Sequence, residues 1–486
     1  MKIKLILAAV LLSLLAVVPH RDPDPKKAPA IKVAYGLDHW DKAFPDVYRV
    51  LLVNLRDPDK KFSTHNAVPG PQFKNEVYLW DTAFISQVWK WWDPIVSQEI
   101  FTPLFQIQHD DGMIPHSSEQ THDTQPPLLS WSAWQIYLVT GDRVFLEESY
   151  PHLKAYNQWL YKHRKMVNNL FFWDNRFESG LDNSPRFTNR AATRIIVMDQ
   201  IAAVDMNAYM VKDNESLAMM AEALGRPVEA IDFKVKAQEL KDLVNQYLWD
   251  EKDGMYYDFD FQKSQFVKIN TNGSFIPLFA GIPDDHRARK LMARIMDPGQ
   301  YNTLIPLPTV ALNDPNYFLD MWRGPTWINV DYMIILGMKD YGFGPEAAEL
   351  SWKVADALYK MFGQSGKFYE FYDPQKLSIQ DLHRKTGFMG LSTRRDKPVE
   401  DFVGWTGLVD NLVIEVLFGL DRTDVGWALS PALPAQTSGK TLLLSIPSQG
   451  LEITLNVNSP DEIQALVVQN RKQMTFMLGD GKSVNW

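Results

Sequence analysis

Glu178 and Asp182 stand four residues apart in Glu178-Ser179-Gly180-Leu181-Asp182-Asn183-Ser184-Pro185-Arg186, directly after the apolar run Phe171-Phe172-Trp173. Gly180 and the Asn-Ser-Pro turn disfavour a regular helix, so the segment reads as a shaped loop. A carboxyl group held against aromatic surface loses hydration, its pKa rises, and it becomes able to act as a general acid. The competing reading is a capped turn between helices. Far downstream, Gly366-Lys367-Phe368-Tyr369-Glu370-Phe371-Tyr372-Asp373-Pro374 sets Glu370 among four aromatics, with Asp373 as the cap of its own turn.

Other loops combine amides, charges and aromatics. Trp80-Asp81-Thr82-Ala83-Phe84 opens a helix and leaves Asp81 near its positive end. Gln125-Pro126-Pro127 opens another. Met321-Trp322-Arg323-Gly324-Pro325-Thr326-Trp327-Ile328-Asn329 gathers two Trp, an Arg and an Asn around a Gly-Pro turn, and Val403-Gly404-Trp405-Thr406 begins the last helix. Aromatic faces stack on the apolar faces of sugar rings while Asp, Gln, Asn and Arg bond the hydroxyls, so this mixture suits a carbohydrate better than a lipid or a phosphate. Trp89, Trp91 and Trp134 fall in helical stripes and read as core. Trp80, Trp322, Trp327 and Trp405 fall at loop–helix junctions and read as site lining. Arg323 could instead hold a loop by pairing with a carboxylate, and Glu370 could be an ordinary surface residue.

Several chemistries are excluded. The chain has no Cys, hence no disulfide, thiolate nucleophile or Cys-ligated zinc. There is no Gly-x-Ser-x-Gly and no His-Glu-x-x-His, and Gly439-Lys440-Thr441 and Gly481-Lys482-Ser483 lack the upstream glycine of a phosphate loop. The segment His109-Asp110-Asp111, His116, His122-Asp123 holds metal-ligand types, but at no familiar spacing, and Gly112 and Pro115 mark it as a turn-rich loop. No metal or cofactor is expected. A formal charge of −9 argues against nucleic acid as a partner.

These loops need a scaffold, and the chain supplies helices. Apolar residues recur at three- and four-residue spacing over roughly 38–56, 80–92, 95–108, 126–140, 143–166, 199–223, 228–248, 284–296, 326–341, 344–362 and 403–419. Strands are scarce before residue 430 apart from short ones near 255–270, so helix follows helix and a parallel α/β sheet is disfavoured. No fixed-period repeat argues for a solenoid. The long loops 57–79, 109–125, 168–198, 297–325 and 363–401 suit a closed helical ring whose loops converge on one face. Residues 35–430 read as this helical domain, and 436–486 as a small β appendage with turns at Ser448-Gln449-Gly450 and Gly479-Asp480-Gly481. Lys2 and Lys4 before the apolar stretch Leu5 to Val18 make residues 1–20 an expected signal peptide or uncleaved N-terminal anchor, with 21–34 as linker. The expected location is periplasmic or secreted.

Taken in order, Trp80-Asp81-x-x-Phe84, Glu178-Ser179-Gly180-Leu181-Asp182-Asn183-Ser184, Trp322-Arg323-Gly324-Pro325-x-Trp327-Ile328-Asn329, Glu370-x-Tyr372-Asp373-Pro374 and Gly404-Trp405-Thr406 resemble glycoside hydrolase family 63 and its relatives, the trehalases and the mannosylglycerate and glucosylglycerate hydrolases. The similarity runs from about residue 35 to 420. It implies a mainly α fold, an (α/α)6 barrel, and hydrolysis of a terminal α-linked glucose or mannose with inversion. By motif, Asp182 is the implied general acid and Glu370 the implied general base. Trp80, Asp81, Gln125, Trp322, Arg323 and Gly324 would line the sugar pocket, with Trp327, Asn329 and Trp405 beside them. Glu178 and Arg186 are expected to bond sugar hydroxyls or each other. In an inverting glycosidase the two carboxyls lie roughly 6.5–9.5 Å apart, leaving room for water. The chain lacks the N-terminal β domain of larger members and is nearer the compact mannosylglycerate-type enzymes, although an export signal fits poorly with a cytoplasmic solute as substrate. The rival readings are a glycan-binding protein without catalysis and a polysaccharide lyase. A lyase wants a basic cleft, and these loops are acidic and Trp-rich.

Overall fold

Where apolar spacing persists for three turns or more, the chain is helical. The computed structural model describes residues 22–33, 37–188, 198–384, 397–423, 426–479 and 481–486. The helices are α1 Asp38–Val53, α2 Leu79–Trp92, α3 Pro94–Glu99, α4 Thr102–Gln106, α5 Leu129–Thr140, α6 Arg143–His163 and α7 Val204–Ala223. They continue with α8 Pro227–Tyr247, α9 Ile276–Phe279, α10 Asp285–Ile295, α11 Ile328–Asp340, α12 Gly344–Ser365, α13 Val403–Thr406 and α14 Leu408–Asn411. The protein is mainly helical, with small sheets.

Local chemistry sets the helix ends. The Asp142 carboxylate accepts from the N–H groups of Val144 at 2.9 Å and Phe145 at 3.2 Å, which starts α6. Three expected helices differ in form. The stretch 95–108 is two short helices, because Pro103 at the start of α4 cannot continue the ladder of α3. Residues 199–203 precede α7 and contain the short strand Ile201–Ala202. The stretch 403–419 is broken into α13, α14 and the π-helical turn Leu412–Leu417.

The helices divide by burial. In α2 every residue from Leu79 to Trp92 is buried, whereas α10 buries only Ala288, Leu291, Met292 and Ile295. A helix apolar on all sides belongs inside, and one with a narrow apolar stripe belongs outside. The inner helices contact each other in the order α2, α5, α7, α9, α11, then α13 and α14, which return to α2. Helices α1, α6, α8 and α12 pack outside this circuit.

The appendage starts earlier in the chain than its composition suggested. Ala30–Val33, expected to be linker, is an edge strand antiparallel to Lys440–Ile446 with Ala30 opposite Ser445. Leu451–Ser459, Glu462–Gln469 and Lys472–Leu478 complete that sheet. A second sheet uses Leu420–Thr423, Gly426–Leu429 and Val484–Asn485, so β structure begins inside the range assigned to the helical domain. Ser448 Oγ donates to the Trp91 carbonyl at 2.7 Å, and Trp91 stacks near Trp427. The sheets therefore meet α2 at its C-terminal end, about 15 Å along the helix axis from Asp81 in its first turn. The expected signal peptide or anchor, 1–20, lies outside the described residues, and among the described residues no helix is long and apolar enough to cross a membrane.

One buried carboxylate joins the two ends of the inner circuit. Glu415, in the π turn, accepts from Trp91 Nε1 and Asn411 Nδ2 at 2.9 Å, pairs with Lys90 Nζ at 3.0 Å and accepts from the Tyr332 hydroxyl. Burial pushes its pKa up, but Lys90 and the hydrogen-bond donors outweigh that and hold it below its ordinary value. A group with a lowered folded pKa stabilises the fold at neutral pH, and that contribution is lost as pH falls through the folded pKa. Removing one member of a buried pair leaves the other charge uncompensated, at a cost of about 3–5 kcal/mol. Glu415→Ala is expected to lose stability in that range by urea unfolding at pH 7, and the difference from the parent protein should shrink in acid. A loss within about 1 kcal/mol would remove this residue from the closure of the circuit.

Candidate active site

A cavity of about 420 Å³ opens where the loops at the N-terminal end of α2 meet. Its wall includes Asp81, Gln125, Asp182, Trp322, Glu370 and Trp405, so residues from five separate sequence motifs converge there with Gln125.

Asp182 is carried by the turn 178–188, which has no regular structure to hold it. Charge and close packing hold it instead. At its start, Glu178 is fully buried and paired with Arg164, whose Nε donates to Oε2 at 2.9 Å, while Asp174 N–H donates to the same oxygen at 3.0 Å. At its end, Arg186 is buried between Asp205 and Asp258, with Nε donating to Asp258 Oδ2 at 2.8 Å and Nη2 to Asp205 Oδ1 at 3.0 Å. Between them Gly180 has φ +72°, and a Cβ there would overlap the Trp80 ring, so the turn lies flat on that indole. Asn183 clamps the turn to the next loop: its Nδ2 donates to the Asp320 carbonyl at 3.2 Å and its Oδ1 accepts from Trp322 N–H at 2.9 Å. Asp182 is left half-buried at the cavity wall.

Glu370 is 3% exposed and faces the same cavity. Arg384 grips it with both arms of its fork, Nε to Oε2 at 2.7 Å and Nη2 to Oε1 at 3.0 Å. Val399 N–H adds a bond to Oε2 at 3.2 Å. The plane of the carboxylate is thereby fixed, and Oε1, with one bond against two, keeps the lone pair available to water.

Asp81 completes a trio of carboxyls. Burial raises its pKa, its own backbone N–H partly offsets this, and the charges of Glu370 and Asp182 raise it further, to about 8. At neutral pH it is protonated and can donate to a hydroxyl. Gln125 is fixed beside it: its Oε1 accepts from Trp80 N–H at 3.2 Å, and its carbonyl accepts from the Tyr156 hydroxyl at 2.7 Å.

The aromatic floor is layered. Trp322 faces the cavity and stacks on Trp327 at 3.7 Å between ring centroids, 9° from parallel. Trp327 is behind it, its Nε1 donating to the Met321 carbonyl at 2.9 Å. Trp80 is also a layer back, packed against Trp405 at 5.1 Å. Met321, on the wall, has φ +51°, unusual for a residue with a side chain, and residues so held gather at functional sites.

Several expected sugar ligands do not line this cavity. Glu178 and Arg186 neither pair with each other nor reach the cavity, because each is consumed by partners behind the turn. Arg323 is buried and donates to the Thr188 carbonyl, which ties it to the far end of the Asp182 turn. Gly324 gives backbone room: a Cβ there would come within 2.7 Å of the Phe318 carbonyl oxygen. Asn329, Trp80 and Trp327 are fully buried and off the wall. In the His109–Asp123 loop, Asp111 accepts from Trp159 Nε1 at 3.0 Å and Asp123 from Asn175 Nδ2 at 2.8 Å, while His116 joins the cavity wall.

Sequence reasoning missed Arg384 and the aromatic and acidic residues of the mouth, among them Phe73, Glu76, Tyr78 and Glu119. Arg384 had a signal only in retrospect: a buried carboxylate at Glu370 needs a cation, and Arg384 is fourteen residues on.

Comparison with known proteins agrees with this geometry. The profile of the mannosylglycerate hydrolase MGH1-like glycoside hydrolase domain matches residues 74–383, a span that holds the turn of Asp182, Glu370 and the cavity's Trp322 loop. The chain is 25% identical over 392 residues to a mannosylglycerate hydrolase of Rubrobacter radiotolerans, covering 63% of this chain and 87% of that protein. It is 27% identical over 379 residues to a mannosylglycerate hydrolase of Thermus thermophilus, covering 61% and 88%. Its fold is similar to the crystal structure of a family 63 mannosylglycerate hydrolase from Thermus thermophilus in complex with glucose, with TM-score 0.61 and 26% identity over 75% of this chain and 98% of that one. A neutral trehalase of Saccharomyces cerevisiae, at 16% identity and TM-score 0.54, shares the fold alone. With its motifs gathered on one cavity and most of its length matched, the chain belongs to the mannosylglycerate hydrolase MGH1-like glycoside hydrolases, relatives of glycoside hydrolase family 63.

Proposed function

We propose that the protein is an inverting glycoside hydrolase that releases a terminal α-linked glucose or mannose, with Asp182 as general acid and Glu370 as general base. The observation that carries this reading is that these two carboxyls, far apart in sequence, line one cavity together with Asp81, Gln125 and Trp322. On the same reading the closed circuit of inner helices is the inner ring of an (α/α)6 barrel, and the chain acts outside the cytoplasm.

The reaction needs one proton delivered and one removed on opposite faces of the ring. Asp182, half-buried at the wall, protonates the departing oxygen. Glu370 draws a proton from water through Oε1, and Arg384 keeps that oxygen aimed. The rings of Trp322 and Trp405 receive the apolar face of the sugar. Asp81, neutral below about pH 8, donates to a hydroxyl without adding a negative charge beside that of Glu370.

The products and two variants test this. A panel of α-glucosides and α-mannosides, followed by NMR, should release the sugar first as its β-anomer; release of the α-anomer would refute inversion. Asp182→Asn should lower kcat by about a thousandfold or more while thermal unfolding stays unchanged, and Glu370→Gln should do the same with partial recovery in azide through formation of a glycosyl azide. Near-normal turnover by Asp182→Asn on a substrate with a poor leaving group would end that assignment.

A separate prediction concerns pH. Asp81 ionises as pH rises through about 8, which turns its hydroxyl donor into an acceptor and sets a second negative charge near that of Glu370. In the parent protein kcat/KM should fall above that pH. In Asp81→Asn, which stays neutral, the fall should move to higher pH. An alkaline limb at the same pH in both proteins would show that Asp81 does not set it.

A further inference from the structure

The cavity changes character from base to mouth. Asp81, Gln125, Trp322, Glu370 and Trp405 at its base are buried, whereas Phe73, Glu76 and Tyr78 are half-buried and Glu119 and Gln120 are exposed. A terminal sugar released by the catalytic pair occupies the base, so the group it leaves behind occupies the mouth. The chemistry of the mouth therefore reports the chemistry of the leaving group.

Two features mark the mouth. The first is an aromatic collar: Phe73 lies edge-on to Tyr78 at 5.7 Å and to Phe402 at 5.8 Å, and Phe177 faces the same opening. The second is its charge. The described wall carries the carboxyls of Glu76, Asp81, Glu119, Asp182 and Glu370 against the single guanidinium of Arg384, with His116 as the other titratable base. With Asp81 neutral and Asp182 protonated for its task, three carboxylates remain: Glu370 is matched by Arg384, Glu119 is met by Lys61 from outside the wall, and Glu76 has the neutral Tyr78 hydroxyl as its partner.

Among the described residues, the cations nearest the mouth already have partners. Arg384 is bidentate on Glu370. Lys61 reaches Glu119 at 3.1 Å from outside and also donates to Ser118 Oγ at 3.0 Å and the Asn75 carbonyl at 3.1 Å. Arg176 lies stacked over the Phe177 ring at 4.9 Å. Glu76 accepts from the Tyr78 hydroxyl, which fixes its carboxylate at the opening.

From these observations we infer that the leaving group is an uncharged sugar or polyol, and that Glu76 and Glu119 select against leaving groups that carry a carboxylate. An anion at the mouth meets like charge, most costly beside the half-buried Glu76. A neutral ring meets aromatic faces to stack on and carboxylates that accept its hydroxyls. This inference rests on the glycosidase reading above and goes beyond it, since the named relatives are mannosylglycerate hydrolases.

The test compares two leaving groups of one skeleton, glycerol and glycerate, each α-linked to glucose and to mannose, with α-linked disaccharides alongside. The expected result for the full chain is a kcat/KM for the glyceryl glycoside about tenfold or more above that for the glycerate glycoside. That ratio should narrow as potassium chloride is raised, because salt screens the repulsion. It should also narrow in the Glu76→Gln, Glu119→Gln double variant, chiefly through a gain on the glycerate substrate. Cleavage of disaccharides alone would equally support a neutral leaving group. Equal or better hydrolysis of the glycerate glycoside overturns the inference while leaving the glycosidase reading intact. No sugar released from any of these substrates, with sugar binding retained, would overturn the glycosidase reading itself and this inference with it.

Discussion

Everything at the cavity depends on a stretch of chain with no helix or strand of its own being held in place, and two guanidiniums do it, one part-buried and one buried. Arg164 takes Glu178 at the start of the Asp182 turn, and Arg186 is locked between Asp205 and Asp258 at its end. Burial lowers the pKa of Arg186, but the two aspartates more than reverse that and keep its charge in place. Replacing such an ion triad by apolar side chains often costs a protein little, so its use here is better understood as positional than as stabilising. Asp205 also accepts from Trp173 Nε1 and Asp258 from Val204 N–H, so one cation fixes the turn, the apolar run before it and the first residue of α7 together. Asp182 sits midway between these two anchors. Its position is inherited from them.

The same device sorts the acidic residues by task. Glu178, Asp205 and Asp258 are buried carboxylates around the Asp182 turn, and a buried carboxylate left ionised and unpaired is costly. Each instead faces a guanidinium behind the turn. Asp81 holds no ion pair among the described residues and answers the problem differently, by keeping its proton near neutrality. Glu370 takes Arg384 as its partner but keeps one oxygen with a lone pair to spare.

How far the sequence could be read follows from these contacts. The inner helices were legible because burial writes an apolar pattern over three or more turns. Helix α9, four residues long, carries too little chain for a period to show, and the apolar period of 403–419 shows a helix without showing its break into α13, α14 and the π turn. The strand Ala30–Val33 reads locally as linker because its partner, Lys440–Ile446, lies some four hundred residues away. At the site, the ordered motifs supply Asp81, Asp182, Trp322, Glu370 and Trp405, which line one cavity with Gln125. Motif order could not separate side chains facing the cavity from those facing backwards. Glu178, Arg186 and Arg323 have the composition of sugar ligands, and only the positions of Arg164, Asp258 and Thr188 reveal them as supports. Arg384 and the mouth residues belong to no motif, so nothing local distinguished them from ordinary surface polar groups.

The helical circuit explains why the supports can be so few. Loops that leave one end of a closed ring start from fixed points, so each needs only one or two cross-links to be placed. Asn183 is such a link, bonded at both ends of its amide to the Trp322 loop. Glu415 supplies the complementary constraint at the other end of α2, joining that helix to α11 and to the last turn of the circuit. Because α2 carries Asp81 at one end and Lys90 and Trp91 at the other, it is rigidly shared between the closure and the cavity. A cavity mounted this way can change its mouth without moving its base. That separation puts Asp81 and Glu370 at the buried base and Phe73, Glu76 and Glu119 at the mouth on separate supports.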